Sequence, residues 1–177
     1  MLVWHAQERP SSCVAACVRI VLAGLNKSLT EARVRHVLGS SRLGITLKAA
    51  QERLAQAGVQ AVLQTDWSLD DVRDSLARGR YPIVGIERQP LGYAPASHAV
   101  VIIRMTSKRI SVLDPLDGPH PKREGFPLHV LLAGLVQPWP WYARGLCFRA
   151  QACDLTHAPL KRARTPRSLG FCLGHCE

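Results

Sequence analysis

The chain has 177 residues, 47% of them hydrophobic and 20% charged, with a mean hydropathy of +0.00. That length suits one domain with its own core and is short for two, and the composition excludes a wholly disordered chain. The formal charge of +10 raises the question of a nucleic-acid partner, but the basic residues are scattered along helical segments, so no nucleic-acid groove is expected. No apolar run is long enough for a membrane span, and no basic region leads into a long apolar run at the start. The expected location is therefore cytoplasmic, with the six cysteines as free thiols.

Val14, Cys17, Val18, Val21, Leu22 and Leu25 recur at helical spacing, which predicts a buried first helix over 12–25 with Ser11 or Ser12 as its cap. Ser28-Leu-Thr-Glu31 has the form of a capping box and opens a second, amphipathic helix that Gly39 stops. A third helix is expected from Leu47 to Ala57, ended by Gly58, and the alternation after it predicts a strand over Val59 to Gln64. Ser68-Leu-Asp-Asp71 caps a fourth helix that runs to Gly79.

From Tyr81 the period changes from helical to extended. Strands are expected at 81–87, 98–104 and 109–114, the last two joined by the Thr106-Ser-Lys connector. Pro115, Gly118, Pro119 and Pro121 mark a loop, Leu128 to Leu135 a short helix, and Tyr142 to Phe148 a final edge strand. Helices followed by strands predict an α+β domain, with an antiparallel sheet packed against the first helix. Residues 1–149 are read as that domain. Residues 150–177, with Lys161-Arg-Ala-Arg-Thr-Pro-Arg167, are read as a basic tail.

Cys13 is the residue best placed for chemistry. It opens the first helix, where unpaired backbone N–H groups and the helix dipole favour a thiolate. His98 opens one strand and Asp114 closes the next. In an antiparallel pair the end of one strand lies beside the start of the other, so the two side chains can meet. A thiolate, an imidazole base and an orienting carboxylate are what cysteine-based acyl transfer needs, and Gln7 is available as a side-chain donor to the oxyanion, beside the backbone N–H of Cys13. Taken singly, Cys13 and Cys17 read as core thiols, His98 as a sheet-edge histidine, Asp114 as a turn opener before Pro115, and Gln7 as a surface residue. Cys153, His157, Cys172, His175 and Cys176 are ligand types without a familiar zinc spacing, so no metal site is expected. Trp139 and Trp141 read as core cover at the domain end.

Gln7, then Cys13 and Ala16 with Gly24-Leu25 closing the helix, resembles the opening motif of the C39 peptidases. Gly44-Ile-Thr-Leu-Lys-Ala-Ala-Gln-Glu-Arg-Leu54, Tyr81-Pro-Ile-Val84, Ser97-His98-Ala-Val-Val101 and Val112-Leu-Asp114-Pro115 extend the resemblance over about residues 5 to 148. It implies a papain-like cysteine protease fold, with Cys13 as nucleophile, His98 as base, Asp114 as orienting acid and Gln7 as oxyanion donor. It also implies a double-glycine leader peptide as substrate, no cofactor, and a separate ABC transporter as partner, the domain standing alone or truncated. Ser12 and Val14 flank Cys13 where that family commonly has an acidic residue and a glycine. Three other functions are open at this stage: a leader-binding module that does not cut, an acyltransferase using the same thioester chemistry, and, last, a nucleic-acid binder.

Overall fold

The computed structural model describes residues 2–65, 67–119, 126–127 and 144–148. Four helices precede most of the sheet: α1 (Cys13–Gly24), α2 (Glu31–Leu38), α3 (Leu47–Gln56) and α4 (Leu69–Ala77). The strands are β1 (Ala61–Thr65), β2 (Ile83–Glu87), β3 (Ser97–Met105), β4 (Arg109–Asp114), β5 (Gly118–Pro119), β6 (Phe126–Pro127) and β7 (Arg144–Phe148). All pair antiparallel in one sheet of order β1-β7-β2-β3-β4-β5, with β6 also on β4. The α+β class and the helix-then-sheet order expected from the sequence are what the chain adopts.

The apolar spacing of α1 buries Val14, Ala15, Ala16, Cys17, Val18, Ile20, Val21 and Leu22, and the helix lies against β3. Cys17 meets the sheet backbone at Ala99 O, and each large aliphatic side chain fully buried there contributes about 1.5–3 kcal/mol relative to exposure. Strand alternation sorts the sheet into two faces. Ile83, Ala99, Val101 and Leu113 pack with α1, Val34, Leu38 and Leu54. Val84, Ile86, Val100, Ile102, Ile110 and Val112 pack with Val72 of α4 and with Trp67.

The fourth helix keeps its expected capping box, with Asp71 N on the Ser68 hydroxyl and Ser68 N on the Asp71 carboxylate. The second does not. Thr30, not Ser28, is the N-cap and accepts from Arg33 N. Glu31 is instead 0% exposed and accepts from Glu8 N at 2.8 Å and from Arg35. Tertiary contact has taken the carboxylate that the local motif assigned to the helix end. Ser12 likewise stands at the N-cap of α1 without a side-chain cap bond, because its hydroxyl is closed into a turn with Arg9, donating to Arg9 O at 2.9 Å and accepting from Arg9 N at 3.0 Å.

The last strand is also placed differently from expectation. β7 is not an edge: it runs between β1 and β2 and pairs with both. Local alternation identifies a strand but carries no information on its neighbours, which are fixed by contacts distant in sequence. The helix expected at 128–135, Trp139, Trp141, and the tail with its cysteines and histidines lie outside the described residues.

Candidate active site

The residues before α1 form a strap. Leu2 lies over Gly24 at the far end of the helix, so close that a Cβ on Gly24 would stand 2.1 Å from Leu2 Cδ2. From there the strap returns to Ser12 and is tied on two sides. Trp4 Nε1 donates to Asp114 O at 2.8 Å, and Gln7 N to Pro115 O at 2.8 Å. On the other side Glu8 N donates to Glu31, while the Glu8 carboxylate pairs with Arg35 at 2.9 Å. The segment that delivers Cys13 is thus anchored to the end of β4 and to α2. A third contact comes from the turn at 41–44, where Ser11 Oγ donates to Arg42 O at 2.7 Å and Gly44 has φ +90°.

Cys13, His98 and Asp114 come together as the sequence reading expected. His98 and Asp114 are 7% and 3% exposed, and His98 Nε2 lies 2.7 Å from Asp114 Oδ1. With Nε2 on the carboxylate, Nδ1 is the ring nitrogen left for Cys13, whose thiol interacts electrostatically with His98. Asp114 Oδ1 also accepts from Leu116 N at 2.8 Å and from Asp117 N at 3.3 Å, so the turn after β4 fixes the carboxylate.

The electrostatics follow from these contacts. Burial opposes ionisation of Cys13, but the hydrogen bond from His98, its positive charge, and the backbone N–H groups of Ala99 and Val14 outweigh burial and hold the thiol below its usual range. Because the Ser12 hydroxyl is turned away to Arg9, it does not compete for the N–H groups of the first turn, and that of Val14 serves the sulfur. Burial also disfavours the imidazolium, yet Asp114 and Cys13 raise His98 to about 9. Burial would raise Asp114, but His98 and the N–H groups of Leu116 and Asp117 bring it below the ordinary carboxylate range. The arrangement favours a thiolate beside an imidazolium, the charge state that nucleophilic attack followed by proton donation requires.

Gln7 is part-buried beside this group, but its amide is occupied. Nε2 donates to Arg9 O at 2.9 Å and to Pro10 O at 3.1 Å, and Oε1 is buried without a partner among the described residues. Two contacts escaped the sequence reading: Glu31, whose capping-box position disguised it, and Trp4, whose only local signal is an aromatic residue near the start of the chain. Among the described residues no three His, Cys, Asp or Glu side chains are grouped as a metal site needs. None of the described helices is long and apolar enough to cross a membrane.

No family model and no curated protein matches the sequence. Solved structures do. One is a double glycine motif protease from an AMS/PCAT transporter in complex with the leader peptide, with 17% identity and a TM-score of 0.61 over 82% of this chain and 89% of that one. A C39-like peptidase from Bacillus anthracis aligns with a TM-score of 0.56 at 12% identity, covering 86% of this chain and 96% of that one. The peptidase domain of Streptococcus ComA, a bifunctional ABC transporter involved in quorum sensing, gives 0.57 at 12% identity over 81% and 96%. At such identities the similarity is one of architecture, and the chain has the fold of the C39 peptidase domains.

Proposed function

We propose that this chain is a cysteine peptidase that cuts peptides, of the double-glycine leader class, through Cys13, His98 and Asp114. The observation that carries the proposal is the buried 2.7 Å contact between His98 Nε2 and Asp114 Oδ1, with Cys13 at the start of α1 beside the same imidazole, which lowers its thiol pKa. A histidine that served packing alone would not need a buried carboxylate on one nitrogen and a thiol on the other. The fold shared with a leader-bound protease supports the substrate class.

In this mechanism the Cys13 thiolate attacks the scissile carbonyl carbon, and the negative charge moves to the carbonyl oxygen. The backbone N–H of Cys13, at the first position of α1, is one of the helix-start donors without an intrahelical partner and would serve that oxygen. Gln7 joins it by exchanging one of its loop carbonyls for the substrate oxygen. His98, already protonated, gives its proton to the departing amine as the C–N bond breaks, leaving a thioester on Cys13. Water, deprotonated by the now neutral imidazole, attacks the thioester; the acid product leaves and the thiolate–imidazolium pair is restored. Asp114 remains ionised throughout and holds the ring. No cofactor enters the proposal.

The test is incubation of the chain with synthetic peptides carrying a Gly-Gly junction, followed by mass spectrometry. Cleavage after the second glycine that is lost in Cys13→Ala and His98→Ala supports the proposal. Binding without cleavage by the native chain overturns it in favour of a leader-holding module, and products joined to an added amine instead of water identify an acyltransferase.

A further inference from the structure

Asp114 and His98 meet beyond the end of their shared ladder. The β3–β4 pairing runs only as far as Val101 opposite Leu113, and Val101 is three residues past His98. Asp114 itself pairs with Gly118 on the other side. Backbone hydrogen bonding between the two strands therefore does not set the distance between the carboxylate and the ring. That distance depends on the turn after β4 and on the 88–96 loop, which leads into β3.

Arg88 joins these two segments. It follows β2 directly, two residues beyond Ile86, which is the register partner of His98. Its guanidinium pairs with Asp117 Oδ2 at 2.5 Å and lies 4.3 Å from the centroid of the Tyr93 ring. The side chains of Arg88 and Asp117 are only 13% and 26% exposed, so solvent screens the pair less than it screens a surface pair. The base of the loop is closed by Glu87, whose Oε1 accepts from Ala96 N at 2.7 Å and Arg88 N at 3.1 Å, while Arg88 N also donates to Ala96 O at 3.0 Å. Asp117 N is one of the donors on Asp114 Oδ1. A continuous set of contacts thus runs from Arg88 through Asp117 to the atom that faces His98.

We propose that Arg88 and Asp117 are positioning residues: their ion pair clamps the turn after β4 to the loop before β3 and so keeps Asp114 Oδ1 on His98 Nε2. The proposal rests on the peptidase reading of Cys13, His98 and Asp114. Neither residue takes part in bond making. The planar, stacked guanidinium matters as well as its charge, because it meets a carboxylate edge and an aromatic face at once.

The experiment compares Arg88→Ala, Arg88→Lys, Asp117→Asn and the Arg88→Ala/Asp117→Asn double variant in the full chain. It reads the pH profile of Cys13 alkylation by iodoacetamide, kcat and KM on a Gly-Gly peptide, and Tm. Asp117→Asn retains the backbone N–H on Asp114, so it tests the ion pair without deleting the turn. Expected are an alkylation midpoint displaced toward that of an ordinary thiol and a roughly ten-fold loss carried mainly by kcat. Arg88→Lys should recover part of that loss, and the double variant should be no worse than the poorer single one, because the pair acts as a unit. Unchanged alkylation midpoints and kcat, with only Tm lowered, would reduce the pair to a structural brace and overturn the proposal. His98→Ala separates the two levels. If it leaves the alkylation profile unmoved, the peptidase reading has failed and the positioning role falls with it; if it moves the profile while the Arg88 and Asp117 variants do not, the positioning role alone has failed.

Discussion

Cys13 and Cys17 stand one helical turn apart on α1, and the backbone of Ala99 in β3 serves both thiols in opposite senses. The Cys17 thiol donates to Ala99 O at 3.3 Å, whereas Cys13 sulfur accepts from Ala99 N–H. Cys17 is fully buried, and burial, Cys13 and Asp114 push its pKa well above the usual range. Two cysteines of the same helix are thereby shifted in opposite directions, Cys13 down and Cys17 up.

Alkylation should separate them. Iodoacetamide at pH 7 is expected to modify Cys13 while Cys17 stays unmodified until the chain is unfolded, with the sites located by mass spectrometry. Modification of Cys17 at a comparable rate in the folded protein would show that the buried hydrogen bond to Ala99 does not control its reactivity.

Asp114 offers a graded test. In Asp114→Asn the side-chain oxygen can still accept from His98 Nε2, Leu116 N and Asp117 N, but the negative charge that supports the imidazolium is gone. His98 should then titrate below its native value of about 9, and kcat/KM should fall by about ten-fold, against roughly a hundred-fold or more for Asp114→Ala, which removes the acceptor as well. Histidine NMR titration and peptide kinetics on the two variants check both statements. Equal losses would mean that charge, not the acceptor oxygen, is what Asp114 supplies.

The same pair makes stability depend on pH, with a definite sign. His98 has a folded pKa of about 9 against an ordinary 6.5, so its contribution is complete below pH 6.5 and is lost as the pH rises through 9. Asp114 is depressed, so its contribution is present above its ordinary 3.8 and is lost as the pH falls through its lower folded value. Cys13 is also depressed and works in the alkaline range with the opposite sign to His98. In Cys13→Ser that counterweight is absent. Urea denaturation of this variant should show stability falling from pH 6.5 upward, and His98→Gln added to it should flatten the curve.

Glu31 is the buried carboxylate that joins the strap to α2. Glu31→Gln retains a shape that can accept from Glu8 N but loses the charge opposite Arg35, while Glu31→Ala leaves Glu8 N unsatisfied as well. The alanine variant is expected to cost about 2–3 kcal/mol and the glutamine variant less, measured as displaced urea midpoints at constant m.

Gly44 is constrained twice. Its φ of +90° lies in the region that favours glycine, and a Cβ there would stand 2.6 Å from Ser11 O, a backbone atom with little room to yield. Gly44→Ala should destabilise the chain by more than about 1 kcal/mol and also lower the Cys13 alkylation rate, because the displaced carbonyl belongs to the segment that leads into Cys13. A stability loss with unaltered Cys13 reactivity would show that the 41–44 turn does not help to set Cys13.

The sequence by itself determined the elements whose signals are local. The apolar period of α1, the Ser68–Asp71 capping box and the alternation over Arg109–Asp114 each involve residues within a turn or two of one another, and each appears as expected. Cys13 at a helix start was legible for the same reason, and the antiparallel connection of β3 and β4 brought His98 and Asp114 to one end of the sheet, although the ladder itself stops at Val101 and Leu113. Tertiary structure decided what depends on partners far along the chain. It placed β7 between β1 and β2, took Glu31 from the end of α2 to the strap, and turned the Ser12 hydroxyl to Arg9 and the Gln7 amide to Arg9 and Pro10. It also joined Trp4 to Asp114 across 110 residues. A hydrogen-bonding group takes whichever partner the packed chain brings within reach, and a local motif states only what the group can bond, not what the fold will offer it.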